Sequence, residues 1–291
     1  MGFPEILDST MLAAFKACPQ KFFKTYIEDW KPKEPSVHLH AGAAFARGLE
    51  VARRAFYEKG RSADDAIAEG LGALWQSYGS FECPPESAKS PERMAGAYEF
   101  YWASYPIEKD DPITLPSGAR GIEFSFVEPL PIPHPETGNP ILYCGRMDMI
   151  ANYAGGIFIM DEKTTSSIGP TWSRQWDLRS QFTGYAWGCR QSGIRVNGVV
   201  VRGIAILKTR YEVQESISYR PEWQIERWLD NTCWQIEQML AMWRSRYWPH
   251  NLDSACADYG GCAFRRCCLS QDETPWLETE FTRQKWNPIT R

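Results

Sequence analysis

Two acidic residues and a lysine lie in one predicted β-hairpin, which constrains the fold more than any other segment of the chain. Residues 143–166 read YCGRMDMIANYAGGIFIMDEKTTS, two apolar runs separated by a Gly-Gly turn, a pattern typical of paired strands. Side chains alternate along a strand, so Asp161 and Lys163 share one face and Glu162 points to the other. Folding about the turn brings Asp148 close to them, which predicts that two carboxylates and an ammonium converge.

Such a cluster suits metal-assisted hydrolysis of a phosphodiester. Carboxylates are hard oxygen ligands that suit Mg²⁺ or Mn²⁺, and the cation would polarise the phosphate and activate a water molecule. A lysine beside it could position or deprotonate that water, or stabilise the developing negative charge. The competing interpretation is a surface salt bridge on an ordinary hairpin, because Asp-x-Lys is a common tripeptide.

Composition sets the class of protein. The chain has 291 residues, of which 43% are apolar and 14% aromatic, enough for one large domain or a domain with an appendage. No apolar run approaches the ~20 residues that cross a bilayer, and the N-terminus does not resemble a secretory signal, so a cytoplasmic protein is expected. The net charge of −4 requires any nucleic-acid surface to be a local basic patch.

Nine cysteines, an odd number in a chain expected to be cytosolic, argue against a disulfide framework. Cys256, Cys262, Cys267 and Cys268 lie within thirteen residues, which indicates a soft metal or an iron–sulfur centre. The two five-residue gaps favour an iron–sulfur cluster, with a tetrahedral zinc site as the second interpretation. The fourth thiolate is Cys267 or, preferably, Cys18, because adjacent residues rarely point at the same centre.

Hydrophobic periodicity predicts an α/β fold with a mixed sheet. A strand–helix–strand order after the hairpin favours a crossover connection. The prolines of residues 128–140 predict a connection that blocks helix and central strand. Helices are expected at 8–30, 41–59, 62–78, 91–104, 172–191 and 222–247, and strands at 119–128, 141–153, 157–164 and 195–208.

Several short motifs follow one another in the order found in one nuclease family. The chain resembles RecB-type PD-(D/E)XK nucleases with an iron–sulfur cluster, the group that includes Cas4 and the AddB nuclease domain, and is most similar to phage-encoded exonuclease-like members. Each motif alone is weak, but all of them in this order are specific and favour a metal site over a surface salt bridge. They are Thr10-Met-Leu-Ala-Ala-Phe15-Lys-Ala-Cys18-Pro19 (with slightly shifted spacing), Gly42-Ala-Ala-Phe45 with Leu49-Glu50, Gly145-Arg146-Met147-Asp148, Asp161-Glu162-Lys163-Thr164, Gln181-x-x-x-Tyr185 and the C-terminal cysteines.

The resemblance implies a role for each matching residue. Asp148 and Asp161 would bind Mg²⁺ or Mn²⁺, and Lys163 would be the catalytic lysine. Gln181 and Tyr185 lie four apart in a predicted helix, so they share a face and would complete the catalytic set by facing the site or the DNA. Ordinary helix-surface and core positions are the alternatives for these two residues.

The resemblance also implies the architecture and the second cofactor. It predicts a restriction-endonuclease-like PD-(D/E)XK core at 119–220, preceded by a helical region at 1–118 and followed by a helix and the cysteines at 221–291, all in one globular unit. A structural [4Fe–4S] cluster would join the two ends of the chain. Its predicted ligands are Cys18, Cys256, Cys262 and Cys268.

One departure from the family pattern concerns the metal site. Many relatives carry a histidine ligand in the first helix, where this chain has Ala46. Glu50, one helical turn further on, and Glu123, on the strand before Asp148, are candidate oxygen ligands in its place. The nearby histidines, His38 and His40, are expected in a loop before the helix.

Aromatic and basic residues close to the catalytic strand suggest a surface for DNA. Single-stranded DNA binds on aromatic platforms at ~1–3 kcal/mol per base, and Trp172 and Trp176 are the candidates for stacking. Arg174 and Arg179 beside them would contact phosphates. Core packing is the competing interpretation for the tryptophans.

The predicted function is hydrolysis of phosphodiester bonds at DNA ends or in single strands, during DNA recombination, repair or replication. The missing histidine motivates an alternative, a catalytically weak DNA-binding partner in a recombination or packaging assembly. A zinc-stapled hydrolase of another phosphate ester is the third hypothesis, and iron analysis separates it from the first.

Overall fold

The chain divides into two units that interleave along the sequence. The computed structural model describes residues 2–252, 254–257 and 261–290. The central unit comprises Pro35–Ser125 and Arg146–Glu222, and the terminal unit comprises Met1–Glu34, Phe126–Gly145 and Trp223–Arg291. Neither unit coincides with one of the three regions expected from the sequence.

The predicted hairpin is present in the structure. Strand β4 (Pro140–Tyr153) pairs antiparallel with β5 (Gly156–Thr165), and Met149 lies opposite Met160. The turn places Ala154 and Gly155 at φ of 47° and 80°, the left-handed region that glycine adopts at little cost. The Gly-Gly signal therefore identified the turn, and the register between the strands follows from it.

Two more strands extend the sheet of the central unit. Strand β6 (Gly198–Ile206) runs parallel to β5, and β7 (Tyr211–Tyr219) runs antiparallel to β6. Every residue of β6 is buried, as expected for a strand covered on both faces. The sheet is mixed, which confirms the predicted mixed α/β class, although β7 was not predicted from the sequence.

Three helices pack against one face of this sheet. They are α3 (Val37–Tyr57), α4 (Ala63–Tyr78) and α5 (Pro91–Ser104), and their apolar side chains form a core with Ile204 and Ile206 of β6. The prediction of a loop around His38 and His40 was wrong, because α3 begins at Val37. The imidazole of His40 stacks on the Phe81 ring with the centroids 4.1 Å apart.

The connection from β5 to β6 forms two helical pieces rather than the single helix expected at 172–191. A 3₁₀ turn at Ser173–Trp176 precedes α6 (Ser180–Gln191). The Sγ of Cys189 on α6 lies 3.5 Å from the Sδ of Met147 on β4. Lys163 Nζ on β5 lies 5.8 Å from the centroid of the Phe182 ring on α6, whereas the adjacent Glu162 contacts Arg53 on α3. Because neighbouring side chains of a strand point to opposite faces, α6 and α3 cover opposite faces of the sheet.

Strand β3 (Ile122–Pro133) pairs with β4 and is longer than the predicted 119–128. It continues into the proline-rich segment that was expected to be a connection. Prolines lack a backbone N–H, so an edge strand tolerates them where a central strand does not.

The terminal unit combines both ends of the chain. Strand β1 (Ile6–Asp8) runs parallel to the first part of β4, with Leu7 opposite Tyr143, and β2 (Trp30–Pro32) pairs antiparallel with β8 (Phe281–Arg283). The helices of the terminal unit are α1 (Ser9–Ala17), α2 (Pro19–Phe22) with a π-helical turn at Phe23–Ile27, most of α7 (Glu222–Ser245), α8 (Arg265–Cys268) and α9 (Thr274–Glu280).

Among the described residues, no helix combines the length and the apolar character that crossing a lipid bilayer requires.

Candidate active site

Three candidate catalytic side chains meet at the open end of the β4–β5 hairpin, away from its turn. Asp148 lies on β4, and Asp161 and Lys163 lie on β5. Asp148 Oδ2 accepts a hydrogen bond of 2.9 Å from the backbone N–H of Glu162, and the Lys163 ammonium forms an ion pair with Asp161. The hairpin thus brings two carboxylates and an amine into one cluster.

Burial and neighbouring negative charges raise the pKa of both carboxyl groups. The residue Asp161 is 2% exposed, and burial is the largest cause of its raised pKa, which Lys163 partly counteracts. The pKa of Asp148 lies well above its usual range because of burial first, and then because of the charges of Asp161, Glu162 and Glu123. Like charges held together in a buried site favour a bound cation.

Helix α6 supplies the side chains beside the lysine. Gln181 Nε2 donates a hydrogen bond of 2.9 Å to Tyr185 Oη, and the Tyr185 ring is buried. Lys163 Nζ lies 5.8 Å from the centroid of the Phe182 ring. Burial acts to lower the pKa of Lys163, but the acidic side chains of the cluster outweigh it and raise that pKa. Gln181 and Tyr185 therefore form a bonded pair on the helix that faces Lys163.

A buried ion pair fixes the opposite face of β5. Arg53 on α3 donates to Glu162 through Nη1 (3.1 Å) and Nη2 (2.6 Å), and to Asp110 through Nε (3.0 Å). Tyr101 Oη also donates to Glu162, at 2.9 Å. Burial acts to raise the pKa of Glu162, but Arg53 outweighs it and holds that pKa at about 2. Because Glu162 is held on the face of β5 that packs against α3, its neighbours Asp161 and Lys163 project from the opposite face of the strand.

The sequence interpretation missed Arg53, although the signal was present. Phe45, Leu49 and Arg53 follow one another at four-residue spacing, so Arg53 falls on the apolar face of α3. A charged residue on such a face indicates a buried partner, because an unpaired buried charge is costly. The identity of that partner was not readable, since Glu162 lies 109 positions away.

The two further acids considered as metal ligands are held by arginines. Glu123 forms an ion pair of 3.1 Å with Arg146, and burial raises its pKa to about 7 despite that arginine. Glu50 accepts from Arg47 at 2.7 Å and from Arg54 at 3.1 Å. The charge of Glu50 contributes to the raised pKa of Glu123, so the two acids lie within electrostatic reach of each other.

The donor set of the cluster fits a hard divalent cation held by few protein ligands. Within the described ranges, no three His, Cys, Asp or Glu side chains are arranged to hold a metal ion together. The buried Oδ1 of Asp161 is paired with the Lys163 ammonium and accepts no other hydrogen bond within the described residues. Mg²⁺ keeps several water ligands and needs one or two carboxylates with substrate phosphates, which Asp148 and Asp161 can supply.

The tryptophans considered as a stacking platform are core residues, so that prediction was wrong. Trp172 and Trp176 are each 6% exposed, and their rings pack edge to face with centroids 5.4 Å apart. Trp172 covers Gly203, where an added Cβ would lie 2.2 Å from the indole. Neither ring offers a free face to a base. Their neighbours Arg174 and Arg179 are exposed, and the charge of Arg179 acts to lower the pKa of Asp161.

Four cysteines from the two ends of the chain line one cavity in the terminal unit. The cavity has a volume of about 240 Å³, and Cys18, Cys256, Cys262 and Cys268 contribute to its wall. Burial raises the pKa of Cys268 to about 11, and the next largest causes are Cys262, Cys18 and Cys256, as expected for thiols close together. Residues 258–260 of this segment lie outside the part of the chain that the structure describes.

The neighbouring cysteine, Cys267, points elsewhere. It is 2% exposed and packs with Phe264, Leu277 and Phe281. Adjacent residues on the short helix α8 point in different directions, so Cys268 faces the cavity while Cys267 packs in the core.

Comparison with known proteins places the fold in a family. A crystal structure of a candidate exonuclease from Eubacterium rectale is similar over 98% of this chain and 92% of that protein, with 13% identity and a TM-score of 0.51. No curated protein matches the sequence. The sequence pattern of the PD-(D/E)XK nuclease superfamily matches residues 9–269, a span that contains Asp148, Asp161 and Lys163. The chain belongs to the PD-(D/E)XK nuclease superfamily.

Proposed function

We propose that this protein is a metal-dependent DNA nuclease that hydrolyses phosphodiester bonds at DNA ends or in single strands. The observation that carries the proposal is the meeting of Asp148, Asp161 and Lys163 at the β4–β5 hairpin. Membership of the nuclease superfamily gives the class of reaction. The similarity to a candidate exonuclease is consistent with a preference for ends.

In this proposal, Asp148 and Asp161 would hold one Mg²⁺ or Mn²⁺ ion. The ion, when bound, polarises the scissile phosphate and lowers the pKa of the attacking water. The Lys163 ammonium lies beside Asp161, where it can bind a phosphate oxygen and stabilise the developing negative charge. Gln181 and Tyr185, bonded to each other, would orient the water or the DNA from α6.

Two exposed arginines are the proposed contacts for the DNA backbone. Arg179 stands close enough to the carboxylates for its charge to act on Asp161. Arg174 is exposed on the 3₁₀ turn that precedes α6. Phosphate contacts of this kind position a nucleic acid without reading its sequence, as a nuclease of broad specificity requires.

The second proposed cofactor is a [4Fe–4S] cluster ligated by Cys18, Cys256, Cys262 and Cys268. It is supported by the four thiols in the wall of one cavity and by thiolate as the ligand type of such clusters. The cluster would join the two ends of the chain and have a structural role. The exclusion of Cys267 follows from its packing in the adjacent apolar core.

The experiment that tests the proposed activity compares DNA forms in the presence of Mn²⁺. Linear single-stranded, linear blunt and covalently closed circular DNA of equal length are incubated with the protein and resolved on a gel. Degradation of linear DNA while the circles stay intact supports action at ends. Cutting of the circles would show that the protein is an endonuclease rather than an exonuclease. No cleavage of any form with Mn²⁺ or Mg²⁺ overturns the proposal.

A catalytically weak DNA-binding protein in a recombination or packaging assembly is the second candidate. Two observations favour it. Glu50 and Glu123, the candidate additional metal ligands, are paired with arginines, and position 46 is an alanine rather than a histidine ligand. Binding of DNA without cleavage in the same assay would support this candidate.

A further inference from the structure

A nearly buried lysine without an acidic partner lies on the helical face of the catalytic strand. Lys89 is 3% exposed, and its ammonium donates a hydrogen bond of 3.1 Å to Thr164 Oγ1, one residue beyond Lys163. Among the described residues, no carboxylate forms an ion pair with it. Burial lowers its pKa to about 8. A buried ammonium is costly unless an anion accompanies it, so this position calls for a ligand or a structural explanation.

Lys89 lines a cavity of about 500 Å³ in the central unit. His38 and Lys208 line the same cavity, and Glu86 is its acidic residue. The side chains of His38, Lys208 and Glu86 are exposed, so Lys89 is the buried charge of the group. Burial first, and then the charge of Lys89, lower the pKa of His38, so these two side chains lie within electrostatic reach of each other.

The N-terminus of α3 opens into the same cavity. Val37 and His38, its first two residues, line the wall. The first-turn N–H groups of a helix have no acceptor within the helix. The side chain of Ser36 caps none of them, and the first turn carries no acidic residue. Such an N-terminus favours a bound anion.

We propose that this cavity binds a phosphate group of the nucleic-acid substrate other than the one being cleaved, held by Lys89, Lys208 and the first-turn amides of α3. The cavity extends to Ser166, just past the end of β5. Thr164, which accepts the hydrogen bond of Lys89, directly follows Lys163 on β5. In this proposal, a strand bound at Lys163 continues around the end of β5 and places another phosphate in the cavity. The inference rests on the proposed function for the identity of the ligand, whereas the anion site rests on Lys89 and α3.

The test measures binding of a fluorescein-labelled 12-nucleotide single strand by anisotropy, with Ca²⁺ in place of Mn²⁺, over a series of salt concentrations. Lys89→Met removes the charge and keeps most of the length of the side chain. We expect about tenfold weaker binding and a slope of log K against log salt reduced by about 0.7, the value for one phosphate contact on a single strand. Lys59→Met is the matched control, because the exposed Lys59 is paired with Glu69, and it should bind as the wild type does.

The outcomes separate this inference from the proposed function. Unchanged affinity and slope for Lys89→Met overturn the inference even if the wild type cleaves DNA with Mn²⁺. A reduced slope without wild-type cleavage supports the phosphate site and overturns the nuclease assignment. A third outcome concerns inorganic phosphate. If phosphate raises the unfolding temperature of the wild type but not of Lys89→Met, and the two proteins bind DNA equally, the cavity is a site for free anions. That result overturns its role with nucleic acid.

Discussion

Arg53 and Glu162 form a two-point ion pair directly behind the residues proposed to catalyse. The guanidinium of Arg53 contacts both carboxylate oxygens of Glu162, at 2.6 and 3.1 Å, and both side chains are almost fully buried. Glu162 lies between Asp161 and Lys163 in the chain. The helical core therefore determines how the catalytic strand presents its other face.

Removal of this arginine should destabilise the fold strongly. Arg53→Met leaves the buried carboxylate of Glu162 without its ion-pair partner, while Asp110 keeps only Arg202, which costs about 3–5 kcal/mol. The half-buried neighbour Arg54 gives the control: Arg54→Met breaks partly exposed ion pairs with Glu50 and Glu58 and should cost less than about 1 kcal/mol. Urea denaturation measures both, and similar losses in the two variants would contradict the role assigned to Arg53.

Two glycine-to-alanine substitutions should change stability in opposite directions, because only one of the added methyl groups would meet a neighbouring side chain. An added Cβ at Gly203 would overlap the Trp172 ring, so Gly203→Ala should destabilise by about 1–3 kcal/mol through overpacking. Gly72 lies inside α4 with nothing within 4 Å of an added Cβ, so Gly72→Ala should stabilise by roughly 0.5–1 kcal/mol. Calorimetry compares the two, and a stabilised Gly203→Ala would mean that the indole does not occupy that place.

The depressed pKa of Lys89 predicts a pH-dependent difference in stability. Its folded-state pKa is about 8, below the ordinary value of about 10.4, so the unfolded state binds more protons between these values and stability rises with pH there. Lys89→Met should therefore be more stable than the wild type at pH 7, in the absence of DNA, and lose that advantage as the pH rises from 8 towards 10.4. A difference in unfolding temperature that stays constant over this range would contradict the burial of an unpaired ammonium.

Adjacent cysteines provide a matched test of the proposed iron–sulfur cluster. Protein purified without oxygen should contain iron and acid-labile sulfide. Cys268→Ser should lose both, because a ligand is removed, whereas Cys267→Ser should keep both and lose only packing. Cys18→Ser should lose iron and unfold at lower temperature than Cys189→Ser. Zinc in place of iron, or equal iron in Cys267→Ser and Cys268→Ser, would contradict the proposed ligation.

Local signals in the sequence predicted the elements that carry the site. The Gly-Gly turn defined the β4–β5 hairpin, and alternation along β5 separated Asp161 and Lys163 from Glu162. Helix α5 begins and ends at the predicted residues. Its start is marked by Pro91 at the first helical position and by the serine before it, which caps the helix. These features depend on neighbouring residues, and their pattern is therefore visible in the chain itself.

Features that depend on distant partners were missed or misread. The roles of Arg53 and Lys89 depend on their hydrogen bonds to Glu162 and Thr164, which lie on β5, far away in the sequence. Trp172 was considered a stacking residue because arginines lie beside it, but Gly203 on β6 leaves the space into which its ring packs.

Cleavage of end-labelled linear DNA with Mn²⁺ by the wild type and by Lys163→Met tests the central claim most directly. We expect the variant to remain folded, as judged by circular dichroism, and its turnover to fall by about 10²-fold or more, as when one preorganised donor is removed from an active site. Lys59→Met should cleave at the wild-type rate. A folded Lys163→Met variant that retains wild-type turnover would contradict the assignment of this hairpin as the catalytic centre.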